Sequence, residues 1–201
     1  MTTGLHRNAA TVPKLKSTSL PASGDVVRKA THRYRMKPNS DDVVYLDDYA
    51  ISDAAAMFEA DHDVEHRKRF DFPSDFVPSL EHSERVIRQW MEARKTGTQY
   101  AYAVRDTNTS CLLGGCEIRP KDSATANLSY WTYRAPRGRG IATHAVSIAC
   151  RVAAQLGITR LEILVDKDNI ASQRVATSND FIQSGELDGR LYYFCNPVAR
   201  F

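Results

Sequence analysis

The chain has 201 residues, 42% hydrophobic and 25% charged, which is the usage of a globular protein with a substantial core and excludes a disordered, fibrous or collagen-like chain. No uncharged apolar run approaches the roughly 18 residues that a bilayer-spanning helix needs, so a soluble, cytoplasmic protein with no membrane partner is expected. The net charge of +3 is uneven: residues 1–38 carry eight Lys or Arg against the single acid Asp25, and the remaining 19 basic and 23 acidic residues leave the rest of the chain at −4.

That basic segment mixes Thr, Ser, Pro, Gly and Lys with few large apolar side chains, too few to offset the entropy of ordering it. Residues 1–38 are therefore assigned to a flexible extension and residues 39–201 to a single domain. The extension lacks the apolar core of a secretory signal and the Arg-lined helix of a transit peptide. It also offers little aromatic surface on which bases could stack, which argues against a nucleic-acid partner.

Folded structure is expected from a short strand at Asp42–Leu46. Ser52 or Asp53 is placed to cap a helix through Ala54–Glu59. Prolines keep residues 71–78 extended or looped. Ser79 then caps a stronger helix, in which Val86 and Trp90, and Ile87 and Met91, recur at four-residue spacing before Gly97 ends it. From Tyr100 the period becomes two: strands at 100–105, 111–119 and 126–132 are separated by turns, the first two forming a hairpin.

Arg137-Gly-Arg-Gly-Ile-Ala142 leaves the third of these strands and opens a helix. A helix start offers unpaired N–H groups and a positive dipole end, and two glycines let the backbone approach an anion closely, so a phosphate or pyrophosphate ligand is expected there. Ile141, Ala145, Ile148, Val152 and Leu156 give that helix its apolar stripe, and Gly157 stops it. A strand at 158–165, a short helix from about Ile170 and strands at 181–183 and 189–195 complete the chain. The strand–helix–strand unit requires a right-handed crossover and hence two parallel strands. The fold class is α/β, with a mixed sheet.

Cys111, Cys116, Cys150 and Cys195 have apolar neighbours and no zinc-knuckle or redox spacing, which suits reduced, buried thiols. No metal site is expected. With no cysteine inside the stretches singled out for chemistry, an acyl-thiol enzyme intermediate is disfavoured.

Three stretches together resemble one family. They are Arg137-Gly-Arg-Gly-Ile-Ala142, the strand core Ser129-Tyr-Trp before it, and Asp166-Lys-Asp-Asn-Ile-Ala-Ser-Gln-Arg-Val after it. Their order and spacing over residues 42–196 are similar to those of the GCN5-related N-acetyltransferases (GNAT), in particular the RimJ/RimL-type branch that acetylates ribosomal-protein N-termini. The resemblance implies a central mixed, mostly antiparallel, twisted sheet flanked by helices. It implies acetyl-CoA as cosubstrate and direct acetyl transfer to a primary amine, either a protein N-terminus or a small molecule.

In that reading the amides of Gly138, Arg139, Gly140, Ile141, Ala142 and Thr143 hold the pyrophosphate, with Arg137 and Arg139 adding charge. The bent strand at Tyr130, Trp131 and Thr132 lines the pantetheine arm, Asn169 bridges its amides, and Ser172 protonates the departing thiolate. Plainer readings stay open: a solvated loop for the arginines, an N-cap for Asn169 and a simple helix start for Ser172. Two departures from the family stand out. Asn179-Asp180 occupies the usual Gly before Phe181, and Asn127 stands where relatives often carry a Glu base. Glu117, on the neighbouring strand, is the alternative base, against the reading of an exposed sheet carboxylate. A rival reading is a non-catalytic acyl-CoA-binding module. Oligomeric state is open, with a homodimer among the options.

Overall fold

A computed structural model describes residues 39–200; the basic extension assigned to 1–38 lies outside the described residues. In chain order the elements are β1 (Val44–Asp48), α1 (Ala54–Ala60), α2 (Val64–Arg69), α3 (Leu80–Thr96), β2 (Tyr100–Asp106), β3 (Leu112–Pro120) and β4 (Thr125–Thr132), followed by α4 (Ile141–Gln155), β5 (Arg160–Val165), α5 (Ile170–Ser178), β6 (Ile182–Leu187) and β7 (Arg190–Cys195). The strands form one seven-stranded sheet in the order β1-β2-β3-β4-β5-β7-β6. Every neighbouring pair is antiparallel except β4 and β5, which the crossover through α4 makes parallel. Among the described residues, no helix is long and apolar enough to cross a membrane.

The two-residue period of the strands sorts side chains onto two faces. From β2, Tyr102 and Val104 join the main core beneath α4, whose Val146, Ile148, Ala149 and Ala153 are fully buried. The alternate residues Ala101 and Ala103 face the other way and meet Ile87 of α3 together with Tyr49, Ala54 and Met57. Small residues on that side let α1 and α3 lie close to the strands.

Local signals explain most boundaries. Ser79 Oγ accepts the His82 N–H at 3.1 Å, and Gly97 ends α3 in the left-handed region at φ 72°. The helix expected from Gly138 starts at Ile141, because residues 138–140 are used in the loop. Two expectations need correction. Asp53 precedes α1 but makes no side-chain cap: its carboxylate accepts the Ala50 N–H at 2.9 Å and the Arg105 guanidinium at 2.7 Å. Cys111 is exposed, whereas the other three cysteines are buried, and none of the four forms a disulfide. An additional helix, α2, forms where Asp63 accepts the Glu65 N–H, with Arg67, Lys68 and Arg69 at its negative end.

At the end of α5, Asp180 takes φ 54°. Asn179, 2% exposed, donates to the carbonyls of Val175 and Thr143 at 3.0 and 3.2 Å, fastening α5 to the first turn of α4. The turn that relatives make with Gly is therefore kept by a residue that tolerates the left-handed region. Asp180→Gly should raise stability slightly in chemical denaturation, and Asp180→Val should lower it by about 1–2 kcal/mol.

Candidate active site

The parallel register of β4 and β5 contains three pairs: Thr125 with Arg160, Ala126 with Leu161 and Asn127 with Glu162. Both strands then continue, β4 to Thr132 and β5 to Val165, but they part. The paired end is clamped by Glu162, 7% exposed, which takes hydrogen bonds from Lys121 Nζ (2.8 Å), Arg160 Nε (2.9 Å) and Tyr192 Oη (2.6 Å). Burial alone would raise this carboxyl's pKa; those donors outweigh it and hold the group below its ordinary value. At the parted end lies a gap of about 240 Å³, lined by residues 127–130 and 163–166 together with Asn169 and Ser172. Strand edges parted in this way present backbone N–H and C=O groups to an extended, amide-bearing ligand.

The gap leads into a larger cleft of about 520 Å³ that ends at the start of α4. Gly138 and Gly140 both sit at φ 76°, a conformation that side chains avoid, and a Cβ on Gly138 would meet nothing within 4 Å. Gly140 caps α4 with no side-chain partner and no acid follows in the first turn, so the helix start faces the cleft with its positive end uncompensated. Arg137 is held in place: its Nε donates to the Thr132 carbonyl at 3.1 Å, and its guanidinium pairs with Asp63 at 2.6 Å.

Of the residues singled out for the donor, Tyr130, Trp131, Thr132, Arg137, Gly138, Gly140, Ile141, Ala142, Thr143, Asn169 and Ser172 all line this one cleft, and Arg139 does not. Asn169 is the N-cap of α5, its Oδ1 accepting the Ser172 N–H at 3.1 Å, which leaves its amide nitrogen for another partner. Ser172 Oγ is 2.6 Å from Tyr130 Oη, and the Tyr130 hydroxyl donates to the Ser172 carbonyl at 3.1 Å. Burial pushes the Tyr130 phenol up to about 12, with the Ser172 bond pulling the other way, so it stays protonated at neutral pH. The phenol beside Ser172 comes from β4.

On the other side of β4 is a chamber of about 310 Å³. His66, Phe70 and Trp131 line both the chamber and the cleft, so the two meet there. The Trp131 ring lies 5.5 Å from Phe70, edge-on, and 6.0 Å from Trp90. Its indole lies across β3, where any Cβ on Gly115 would overlap both it and Tyr49 Oη.

Two carboxylates line this chamber. Glu117, the candidate base weighed against an exposed sheet carboxylate, is 8% exposed and pairs with Arg119 at 2.6 Å; burial raises its pKa and the arginine opposes the rise. Asp61 is 4% exposed and burial raises it to about 6, with His66 Nε2 3.9 Å away. Burial lowers His66 to about 4 and also lowers His82. His62 and His66 have the four-residue spacing that metal-binding helices use, but His62 Nδ1 bonds the Phe58 carbonyl at 2.9 Å and His66 belongs to the chamber wall. Among the described residues, no group of three or more His, Cys, Asp or Glu is placed to hold a metal. Asp61, His66, Phe70 and the Tyr130–Ser172 bond were not foreseen. The only trace of the first three in the sequence is an acidic, histidine-bearing stretch after an alanine-rich helix, with no spacing that names a site.

The family described as the acetyltransferase (GNAT) domain matches residues 44–182. No curated protein matches the chain. Among solved structures, the chain is similar to the Microcin C7 self-immunity acetyltransferase MccE in complex with acetyl-CoA and AMP (TM-score 0.69, 21% identity, 80% of this chain and 97% of that one). It is similar to RimL, a ribosomal L7/L12 alpha-N-protein acetyltransferase in complex with coenzyme A (TM-score 0.66, 20% identity, 79% and 97%). It is similar, too, to a putative ribosomal-protein-serine acetyltransferase from Vibrio cholerae (TM-score 0.64, 18% identity, 78% and 95%). At these identities the likeness is one of fold.

The contact over Gly115 can be tested directly. Gly115→Ala should displace the Trp131 indole, shift the tryptophan emission of the native state and cost about 1–3 kcal/mol in denaturation, as overpacking does.

Proposed function

The chain belongs to the GNAT acetyltransferase family, and we propose that it transfers the acetyl group of acetyl-CoA directly to a primary amine, in the manner of the RimJ/RimL-type branch. The observation that carries this reading is one continuous wall running from the start of α4 past Asn169 to Ser172 and Trp131. Its chemistry fits the cosubstrate along its whole length. The free amides and positive end of α4, with Arg137 pinned beside them, suit the pyrophosphate. The parted strand edges and the Asn169 amide suit the pantetheine amides.

Transfer requires a neutral amine at the thioester carbonyl, and a proton for the sulfur. In the proposed step the amine nitrogen bonds to the carbonyl carbon, its proton passes to Glu117, the C–S bond breaks, and the thiolate takes the Ser172 Oγ proton. Tyr130 Oη, 2.6 Å from that oxygen, orients Ser172 and turns its proton from the Ser172 carbonyl to the oxyanion, and solvent then returns a proton to the pair as Glu117 releases the one taken from the amine. Asn127 lines the strand gap and is not needed as a base in this scheme.

Ser172→Ala should lower kcat by about 10²-fold or more, measured as release of free CoA thiol, with acetyl-CoA affinity unchanged. Unaltered turnover would remove Ser172 from this role. Tyr130→Phe should lower kcat by a smaller factor and also spare affinity. Glu117 must be ionised to accept a proton and burial raises its pKa, so kcat/KM should climb with pH through that raised value. In Glu117→Gln this limb should vanish along with most activity; an unchanged profile would exclude Glu117 as the base.

A further inference from the structure

The chamber beside β4 says what kind of amine it is built for; this inference rests on the acetyl-transfer reading above. Seven of its lining residues, Met57, Phe70, Phe72, Val86, Trp90, Trp131 and Tyr133, are apolar or aromatic. Its volume of about 310 Å³ lies at the small-ligand end of binding pockets. Its histidines, His66 and His82, are held neutral by burial, so they bring no positive charge. The charged groups facing it are Asp61, Glu117 and Arg119, and the arginine is largely exposed and already paired with Glu117.

Asp61 is the unusual member. Carboxylates are rarely this buried; burial raises Asp61 against the pull of His62 and Arg67, and the imidazole 3.9 Å away, His66, stays neutral at pH 7. Its position is informative as well. His66 lines both the chamber and the donor cleft, so Asp61 stands near the passage between them. Glu117 reaches the same region from the other side, since it pairs in register with Ser129, two residues before Trp131.

We propose that the acceptor is a small primary amine borne a few bonds from an aromatic or bulky aliphatic body, an arylalkylamine-type molecule, its body packed on Trp90, Trp131, Phe70 and Phe72 and its ammonium form met by Asp61 until it loses one proton to solvent and attacks as the neutral amine. An ammonium near indole and phenyl faces gains cation–π attraction in addition to the ion pair. A polyamine fits less well, because its further ammonium groups would lose water against apolar walls. An N-terminal peptide fits less well for the same reason: its backbone amides would face aromatic surface.

The test is an acceptor series with phenethylamine, tryptamine, cyclohexylmethylamine, spermidine and a short peptide starting with Ser, assayed by CoA thiol release and with acetyl-CoA affinity measured in parallel. The first three should show kcat/KM at least tenfold above the last two. Asp61→Asn should lower kcat/KM for them by about tenfold or more, mainly through amine KM, while retained acetyl-CoA affinity shows that the variant is folded. Preference for spermidine or the peptide, or an Asp61→Asn enzyme with unchanged amine KM, overturns this inference and leaves acetyl transfer standing. Tight acetyl-CoA binding with no turnover of any amine overturns both.

Discussion

Past Asn127 and Glu162 the two halves of the sheet stop sharing hydrogen bonds, and the cleft between them depends on how that break is held. At the closed end, Glu162 gathers Lys121, Arg160 and Tyr192 from the β3–β4 turn, β5 and β7. At the open end, Arg69 and Arg190 both reach Asp166, each at 3.0 Å, and so tie α2 and β7 to the end of β5. Half-exposed ion pairs of this kind contribute little stability singly. Their consequence is geometric: they hold α2, with Glu65, His66, Arg69 and Phe70, over the mouth of the cleft.

Strand β4 serves two sites because its side chains alternate. Tyr130 points to the face covered by α4 and α5, where its hydroxyl meets Ser172. Trp131, the next residue, points to the face covered by α1 and α3 and forms the wall between cleft and chamber. A one-residue shift in the β3–β4 register would exchange these roles. In the register observed, Gly115 on β3 leaves room for the indole opposite, which a Cβ there would overlap.

The electrostatics divide along the same strand. The cleft carries the positive start of α4, with Arg137 beside it paired to Asp63. The chamber carries two carboxylates, Asp61 and Glu117, against the single arginine Arg119, and its histidines stay neutral. The proposed anionic donor and cationic acceptor would thus approach one point from different fields.

The loop and helix starts that line the cleft are legible in the sequence. Gly138 and Gly140 before an apolar stripe, Ser79 before α3, Gly97 after it, and Asn169 three residues ahead of Ser172 are local signals, each acting within a turn or two of its own chain, and the elements they specify stand where they were expected. Packing sets the rest. Ser52 and Asp53 both suit a cap by their neighbours, but Arg105, 52 residues from Asp53 in the chain, claims that carboxylate. Whether Glu117 is a candidate base or an exposed sheet acid stays open in the sequence, because nothing in its strand reveals that α1 and α3 bury it. Tyr130 and Ser172 are 42 residues apart, and Asp61, Glu117, Trp90 and Trp131 come from four separate segments. A chamber assembled from such separations is set by packing, which leaves no spacing in the sequence, whereas an anion cradle is made by one loop and its helix.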